Sequence, residues 1–344
     1  MSSRPALSLS IVTSMYRSAG FLDVFYTRCT AAATRLVGTS YEIVLVNDGS
    51  PDDSLTAAIE LGRRDPHVRV LDLSRNFGHH RALMTGLAHA RGTLVFLIDC
   101  DLEEDPEWLI AFYDTLRSSG ADAVYGVQEV RKGGPLERLS GGAFFRVFNH
   151  LLTHPIPANV TTARLMTHRF VQALVSHEER EVSLAGLCVL TGFEQRPHVV
   201  RKGSRPSTSY TVRKRLSVFV NAITSLSNRP LVYIFQIGMG VMALSLVAGV
   251  VLLYESLHGR VGVPGWASVM VSIWFLGGLI IFCVGVIGMY LSKIFLEVKH
   301  RPYTIVRAEY GPAPSERIGS ARVEEAALSE RVGSTRGQGT DRLP

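Results

Sequence analysis

Charge is missing from two long stretches of this chain. No Asp, Glu, Lys or Arg occurs in the 25 residues from Pro230 to Tyr254 or in the 32 from Val261 to Ser292. The other 287 residues carry all 66 charges, or 23%, close to the roughly 25% of soluble domains. A soluble domain of ordinary composition therefore accompanies two membrane-length segments. That excludes a simple cytosolic enzyme, a polytopic transporter and a disulfide-rich secreted module. Cysteine is scarce as well. Cys29, Cys100, Cys188 and Cys283 form no CxxC pair, which suits a reducing compartment, and the sequon Asn159-Val160-Thr161 reads as accidental. Near the N-terminus the apolar stretch from Leu7 to Val12 is too short for a secretory h-region, so no signal peptide is expected. There is no internal repeat.

The uncharged segments are long enough to span. At about 1.5 Å per residue, 25 helical residues reach about 37 Å, against a hydrocarbon core of about 30 Å. Soluble core helices rarely run so far without a charged face, so spans are expected at about 230–254 and 266–292. Arg213, Lys214, Arg215 and Arg229 precede the first; Lys293, Lys299, Arg301 and Arg307 follow or end the second; the loop between them carries only Arg260. Positive charge marks the cytoplasmic side, so both termini are expected there, at the inner membrane. Small residues (Gly240, Ser245, Gly249, Gly285, Gly288) permit close helix contacts within or between chains, and a homo-oligomer is expected. The net charge of +6 suggests nucleic acid, but the basic residues gather near the spans and in the tail, where anionic lipid explains them better.

The soluble part, residues 1–209, alternates two periodicities. Leu9–Val12, Ile43–Val46, Val68–Leu73, Leu94–Ile98 and Ala123–Tyr125 are short, apolar, β-rich runs; helix-like stretches (21–36, 54–63, 81–90, 106–116) lie between them. This is the pattern of βαβ units in an α/β domain with a mostly parallel sheet. Residues 131–210 are less regular, with an apolar helix around Phe144–Leu152. In the stretch 210–229, Val212, Leu216, Phe219, Val220, Ile223 and Leu226 recur every three to four residues behind a basic start, as in an interfacial amphipathic helix or a helix packed on the soluble domain. Residues 297–310 read as a cytoplasmic segment and 311–344 as a disordered tail.

Ligands of parallel sheets bind beyond the carboxyl ends of the strands, and the polar motifs fall there. Asp99-Cys100-Asp101-Leu102-Glu103 follows the fourth run. Oxygen ligands at such a spacing suit Mg²⁺ or Mn²⁺ held against a diphosphate; acidic pairs that merely cap a strand or helix look the same. Asp105-Pro106-Glu107 reads as a helix N-cap with proline at the first position. Asp48, after the second run, is placed to accept hydrogen bonds from a base or ribose. Ser74-Arg75-Asn76-Phe77-Gly78-His79-His80 leads into a helix whose N-terminus favours phosphate.

With Tyr41 to Ser50, Ser74 to His79, Ala82, Gly86, Gly92 and Asp99-x-Asp101-Leu-x-x-Asp105-Pro-Glu107, the chain resembles family 2 glycosyltransferases of the GT-A fold. Tyr125-Gly126-Val127, Arg164-Leu165, the basic stretch, the two spans and Lys299-His300-Arg301-Pro302 narrow the resemblance to bacterial polyprenyl-phosphate glycosyltransferases, relatives of dolichyl-phosphate mannose synthase, over residues 7 to 307. The resemblance implies a GT-A catalytic domain, an interfacial helix and two C-terminal transmembrane helices. It implies that Tyr16 and Asp48 line the nucleotide pocket with Asn76, Gly78 and His79 beside it. Asp99 would face ribose and diphosphate; Asp101, with Asp99 and Glu103, would hold Mg²⁺ or Mn²⁺; Arg131, Arg138 and Arg164 would meet the phosphates of donor and acceptor. The donor would be a nucleotide sugar (UDP- or GDP-linked), the acceptor polyprenyl phosphate, and the anomeric centre would invert.

The chain also departs from that family. Tyr16-Arg17-Ser18 replaces Tyr-Asn-Glu and removes a pocket carboxylate; Gly126-Val127-Gln128 replaces Gly-Val-Arg; Thr161-Thr162-Ala163 precedes Arg164 in place of Gly-Asp-Phe; and Thr208-Ser209-Tyr210 replaces Ser-Lys-Tyr. A processive polysaccharide synthase would carry Gln-x-x-Arg-Trp, which none of Trp108, Trp266 and Trp274 completes. A non-catalytic membrane scaffold is the alternative of another class, against which Asp99 and Asp101 stand.

Overall fold

A computed structural model describes residues 8–128, 149–152, 155–179, 183–202, 223–224, 227–258 and 265–312. Arg131 and Arg138, nearly all of the basic 210–229 stretch, most of the 144–152 helix and the tail beyond 312 lie outside the described residues.

Among the described residues eight strands form one sheet, in the order 195–200, 123–128, 160–167, 94–97, 9–15, 41–47, 68–73, 306–310. β1 (Leu9–Met15), β2 (Tyr41–Asn47), β3 (Val68–Leu73) and β4 (Leu94–Leu97) are the expected parallel strands, joined through α1 (Ala19–Val37), α2 (Ser54–Arg64) and α3 (His79–His89). Their residues are almost wholly buried, because helices cover both faces, which is why they read as continuous apolar runs. One face packs Phe25, Phe96 and Phe112 beneath α1 and α4 (Trp108–Ser119). The other packs Val12, Val46, Leu83 and Phe170 beneath α3 and α5 (His168–Val175). α6 (Leu184–Leu190) joins the second face.

Three strands were not anticipated. β6 (Val160–Thr167) lies antiparallel between β4 and β5 (Ala123–Gln128), and β7 (Gln195–Val200) adds parallel to β5 at one edge. At the other edge β8 (Val306–Tyr310) pairs antiparallel with β3. The stretch read as a cytoplasmic flank is therefore part of the sheet. Between β7 and β8 lie two long helices, α7 (Arg229–Leu257) and α8 (Trp266–Val298). They expose large apolar side chains, Leu244 by 70% and Trp274 by 80%. Among the described residues one stretch, Ser272–Val298, is long and apolar enough to cross a membrane, with mean hydropathy 2.3 and 6% burial.

Candidate functional site

The carboxyl ends of β1, β2 and β4 and the loop after β3 converge on a cavity of about 280 Å³ lined by Ser14, Tyr16, Ser18, Asp48, Asn76, Gly78, His79, Asp99, Cys100 and Asp101. Larger clefts exist: one of about 520 Å³ opens beyond the amino ends of β4 and β5, lined by Arg91, Arg117 and His168. In a doubly covered parallel sheet, however, chemistry collects at the carboxyl ends, and the titratable groups collect there in this chain.

Asp48 is buried to 2% exposure. Its carboxylate accepts from the backbone N–H groups of Phe77 (2.7 Å) and Gly78 (3.0 Å), while its carbonyl accepts from the Asn76 amide (3.0 Å). Burial raises its pKa, and these N–H groups only partly offset the rise. Asp48 thus first ties two pocket loops together, leaving its remaining lone pairs for a ligand. Gly49 makes the close approach possible: its φ is +60°, and a Cβ there would sit 2.4 Å from the Asn76 nitrogen.

His79 bridges the pocket wall. Nδ1 lies 2.8 Å from the Ser14 hydroxyl and Nε2 lies 3.2 Å from Asp99 Oδ1. That contact is close enough for an ion pair but not aligned as a hydrogen bond, so Oδ1 is buried without a hydrogen-bond donor. Burial opposes the imidazolium, yet Asp99, with Glu104 and Asp48 beyond it, outweighs burial and raises the His79 pKa. Asp99 responds in the opposite sense: burial pushes its pKa up, but His79, Thr162 and Lys202 pull it below the usual value. Asp101 Oδ1 accepts from the Glu103 N–H at 3.0 Å. Two non-glycine residues here adopt left-handed backbone, Arg17 (φ 56°) beside Tyr16 and Leu102 (φ 61°) after Asp101, a strain that collects at ligand sites.

The expected set is only partly brought together. Tyr16, Asp48, Asn76, Gly78, His79, Asp99 and Asp101 share the cavity. Glu103 does not line it; its carboxylate lies 3.2 Å from Lys202 Nζ. Arg164, on β6, stands in a separate cavity of about 210 Å³ with Tyr125 and Cys188. Its guanidinium donates to the carbonyls of Thr161 and Thr162 (both 3.2 Å) and to Cys188 Sγ (2.7 Å). Asp105 and Glu107 make no side-chain cap; both carboxylates bind Arg28 from α1, and α4 begins at Trp108, two residues later than a helix started at Pro106 would.

Sequence reasoning missed Glu104 and Lys202. Glu104 is fully buried and accepts from the Thr162 N–H at 2.9 Å and weakly from the Asp99 N–H at 3.4 Å. Burial and the neighbouring Asp99 charge push its pKa up to about 7, with Lys202 3.6 Å away working against them. Nothing in the run Glu103-Glu104-Asp105 marks the middle acid as the buried one. Lys202 follows β7, a strand that was not anticipated.

As for a divalent cation, the pocket fits one. Two hard oxygen donors, Asp99 and Asp101, face the same cavity, and one Asp99 oxygen lacks a proton donor. Among the described residues no cluster of three or more His, Cys, Asp or Glu side chains forms a complete metal cage, so substrate oxygens would supply the rest, as is usual for Mg²⁺.

Comparison with known proteins agrees with this geometry. The model of "Glycosyl transferase family 2" matches residues 10–174. A Mycobacterium tuberculosis protein named only as belonging among the glycosyltransferases is 49% identical over 305 residues, 89% of each chain. The glycosyltransferase sll0501 of Synechocystis is 33% identical over 308 residues, 89% of this chain and 96% of that one. The bactoprenol glucosyl transferase of Shigella phage SfV is 31% identical over 306 residues, 88% and 99% of the two chains. Among solved structures, mannosyl-3-phosphoglycerate synthase from Rubrobacter xylanophilus overlays with a TM-score of 0.44 at 16% identity, over 68% of this chain and 75% of that one, a likeness too loose to argue from.

Proposed function

The chain belongs to glycosyl transferase family 2, and from that premise we propose that it moves a sugar from a nucleotide-sugar donor to polyprenyl phosphate at the cytoplasmic face of the inner membrane. One observation carries the reading: similarity to a bactoprenol glucosyl transferase covers 88% of this chain, an extent that reaches beyond the catalytic sheet into the apolar helices.

In this reading a phosphate oxygen of the lipid attacks the anomeric carbon, the bond from that carbon to the donor diphosphate breaks, and the nucleoside diphosphate leaves with the electron pair. Attack from the opposite face inverts the centre. The second pKa of a phosphate monoester is about 6, so the acceptor is already ionised at neutral pH and needs little general-base help. Charge accumulating on the leaving diphosphate is the harder problem. Asp48 and Tyr16 receive the nucleoside, with Asn76 and Gly78 shaping the floor. His79, whose pKa Asp99 raises, lines the side of the cavity proposed for the phosphates and adds positive character there. Asp99 and Asp101 are the side chains that would hold Mg²⁺ or Mn²⁺, and such an ion, when bound, neutralises leaving-group charge. Glu103, engaged by Lys202, drops out of that set.

Arg164 is the candidate for the acceptor phosphate; Arg131 and Arg138, which lie outside the described residues, are proposed for the same role on sequence grounds alone. Arg164 is a cation exposed by only 4% whose partners among the described residues are all neutral, and a buried charge left unpaired is costly; an incoming phosphate relieves that.

The chain's path supports two spans. It leaves the sheet after Val200 and rejoins it at Val306, so any membrane between must be crossed an even number of times. If Ser272–Val298 crosses once, α7 is the other crossing. The active site then stays at the headgroup plane, and the search for a lipid-bound acceptor becomes lateral.

The test is direct: purified protein, polyprenyl phosphate, Mg²⁺ or Mn²⁺ and a panel of UDP-, GDP- and dTDP-sugars. A sugar-linked polyprenyl phosphate in the lipid extract is expected. Transfer only to soluble hydroxyl acceptors would refute the lipid-phosphate reading.

A further inference from the structure

Residues 303–310 meet the pocket loops from behind. The Ser74 N–H donates to the Ile305 carbonyl at 2.9 Å, the hydroxyls of Thr304 and Thr85 lie 2.7 Å apart, and Tyr303 and Val306, like Phe77, pack against the core beneath α3. Arg307 sends Nε and Nη2 to one oxygen of Asp72, at 2.8 and 2.6 Å. Asp72 is 1% exposed, and Arg307 is the cation paired with it among the described residues. The other Asp72 oxygen accepts from the Asn47 amide at 2.8 Å, and the Asn47 side-chain oxygen accepts from the Ser50 N–H at 3.2 Å. Asn47 immediately precedes Asp48. Both loops that frame the nucleotide pocket, 47–50 and 74–78, are thus tied to the strand returning from α8.

We propose that Arg307 is a positioning residue for the nucleotide pocket, acting through Asp72 and Asn47 to hold the turn that presents Asp48 to the donor. The inference rests on the nucleotide-sugar reading of that pocket. Without Arg307 the Asp72 carboxylate is buried without its cation, which is costly, and the Asn47 amide loses its fixed acceptor. Asp99 and Asp101 follow β4 and have no contact with this relay, so the loss falls on donor binding and not on the reacting centre.

The experiment uses the full chain in lipid nanodiscs. Binding of UDP and GDP with Mn²⁺ is measured by calorimetry, donor KM and kcat by transfer to polyprenyl phosphate, and unfolding by a thermal scan. Arg307→Ala is expected to weaken nucleotide binding and raise donor KM about ten-fold, the scale of one charge-assisted hydrogen bond, with kcat within about three-fold of wild type. Arg28→Ala, which cuts a comparable ion pair between α1 and the start of α4, is expected to lower stability without moving KM. Nucleotide affinity of Arg307→Ala within two-fold of wild type would overturn the proposal. If Arg307→Ala does not fold, Arg307→Lys, which keeps the charge but not the two-pronged contact, carries the same comparison: a rise in KM supports the proposal and an unchanged KM overturns it. Wild-type protein that binds neither nucleotide overturns the pocket reading and this proposal together. Wild-type protein that binds nucleotide but transfers nothing to lipid overturns only the acceptor, and the Arg307 comparison is still decided on binding.

Discussion

At the scale of single residues, chemistry and folding separate at Asp101. Its carboxylate lines the cavity and makes one local contact, to the Glu103 N–H. Asp101→Ala is therefore expected to reduce transfer by at least about 100-fold, the usual size of a lost electrostatic stabiliser, while its melting temperature stays close to wild type; full metal-dependent turnover would remove Asp101 from the site. Asp65 is the converse, a carboxylate that serves folding alone. Burial raises its pKa, but the backbone and ring of His67 and the Tyr26 hydroxyl outweigh burial and hold it below the ordinary value. Its stabilisation is thus complete above the unfolded value of about 3.9 and is lost as pH falls through that value towards the folded one. Asp65→Asn is expected to cost about 1–3 kcal/mol at pH 7 and much less near pH 3. Denaturant melts at both pH values check this; an equal deficit would contradict it. Asp48, Asp99 and Asp101 were legible in sequence because each follows an apolar run. Glu104 was not, because burial of one acid among four depends on where Thr162 and Lys202 arrive.

At the scale of elements, the parallel half of the sheet could be read from sequence and the antiparallel additions could not. β1 to β4 are buried on both faces and so appear as unbroken β-branched and aliphatic runs. β7 carries Arg196, Pro197 and His198, a composition that fits only an edge. In β8, Arg307 and Glu309 alternate with less polar residues, so it resembled a basic flank. Arg164 interrupts β6. Close packing of α3 on β1 and β2 yields a prediction of its own: a Cβ at Gly86 would lie 2.5 Å from a Val12 methyl and 2.9 Å from a Val46 methyl. Gly86→Ala is expected to destabilise by about 1–3 kcal/mol through overpacking, read from a denaturant midpoint. The membrane glycines behave differently. Among the described residues a Cβ at Gly240, Gly285 or Gly288 would meet nothing within 4 Å, so no steric cost of the Gly86 kind is expected there.

At the scale of the whole molecule, the uncharged segments are bracketed by parts of one sheet. That arrangement requires reporters fused after Gly311 and before Leu9 to fall on the same side of the membrane. Protease protection in intact vesicles measures this, and opposite sides would exclude the two-helix hairpin. Extraction should need detergent and resist high salt or alkaline wash. The apolar stretches were plain in sequence as absences of charge; their relation to the active site was not, since it depends on a strand pairing across the hairpin that no local pattern announces.

The pairing of β8 with β3 also sets an order of assembly during synthesis. The strands that build the pocket leave the ribosome first, then the two apolar helices, and only afterwards the strand that covers the edge of β3. At roughly 5–20 residues per second, the wait between Lys202 and Val306 is on the order of ten seconds. Throughout it, β3 offers unpaired backbone groups of the kind that invite aggregation, and Asp72 lacks its cation. On the two-span reading proposed above, insertion of the helices would return Val306–Tyr310 to the sheet, and completion of the fold would then be coupled to arrival in the bilayer.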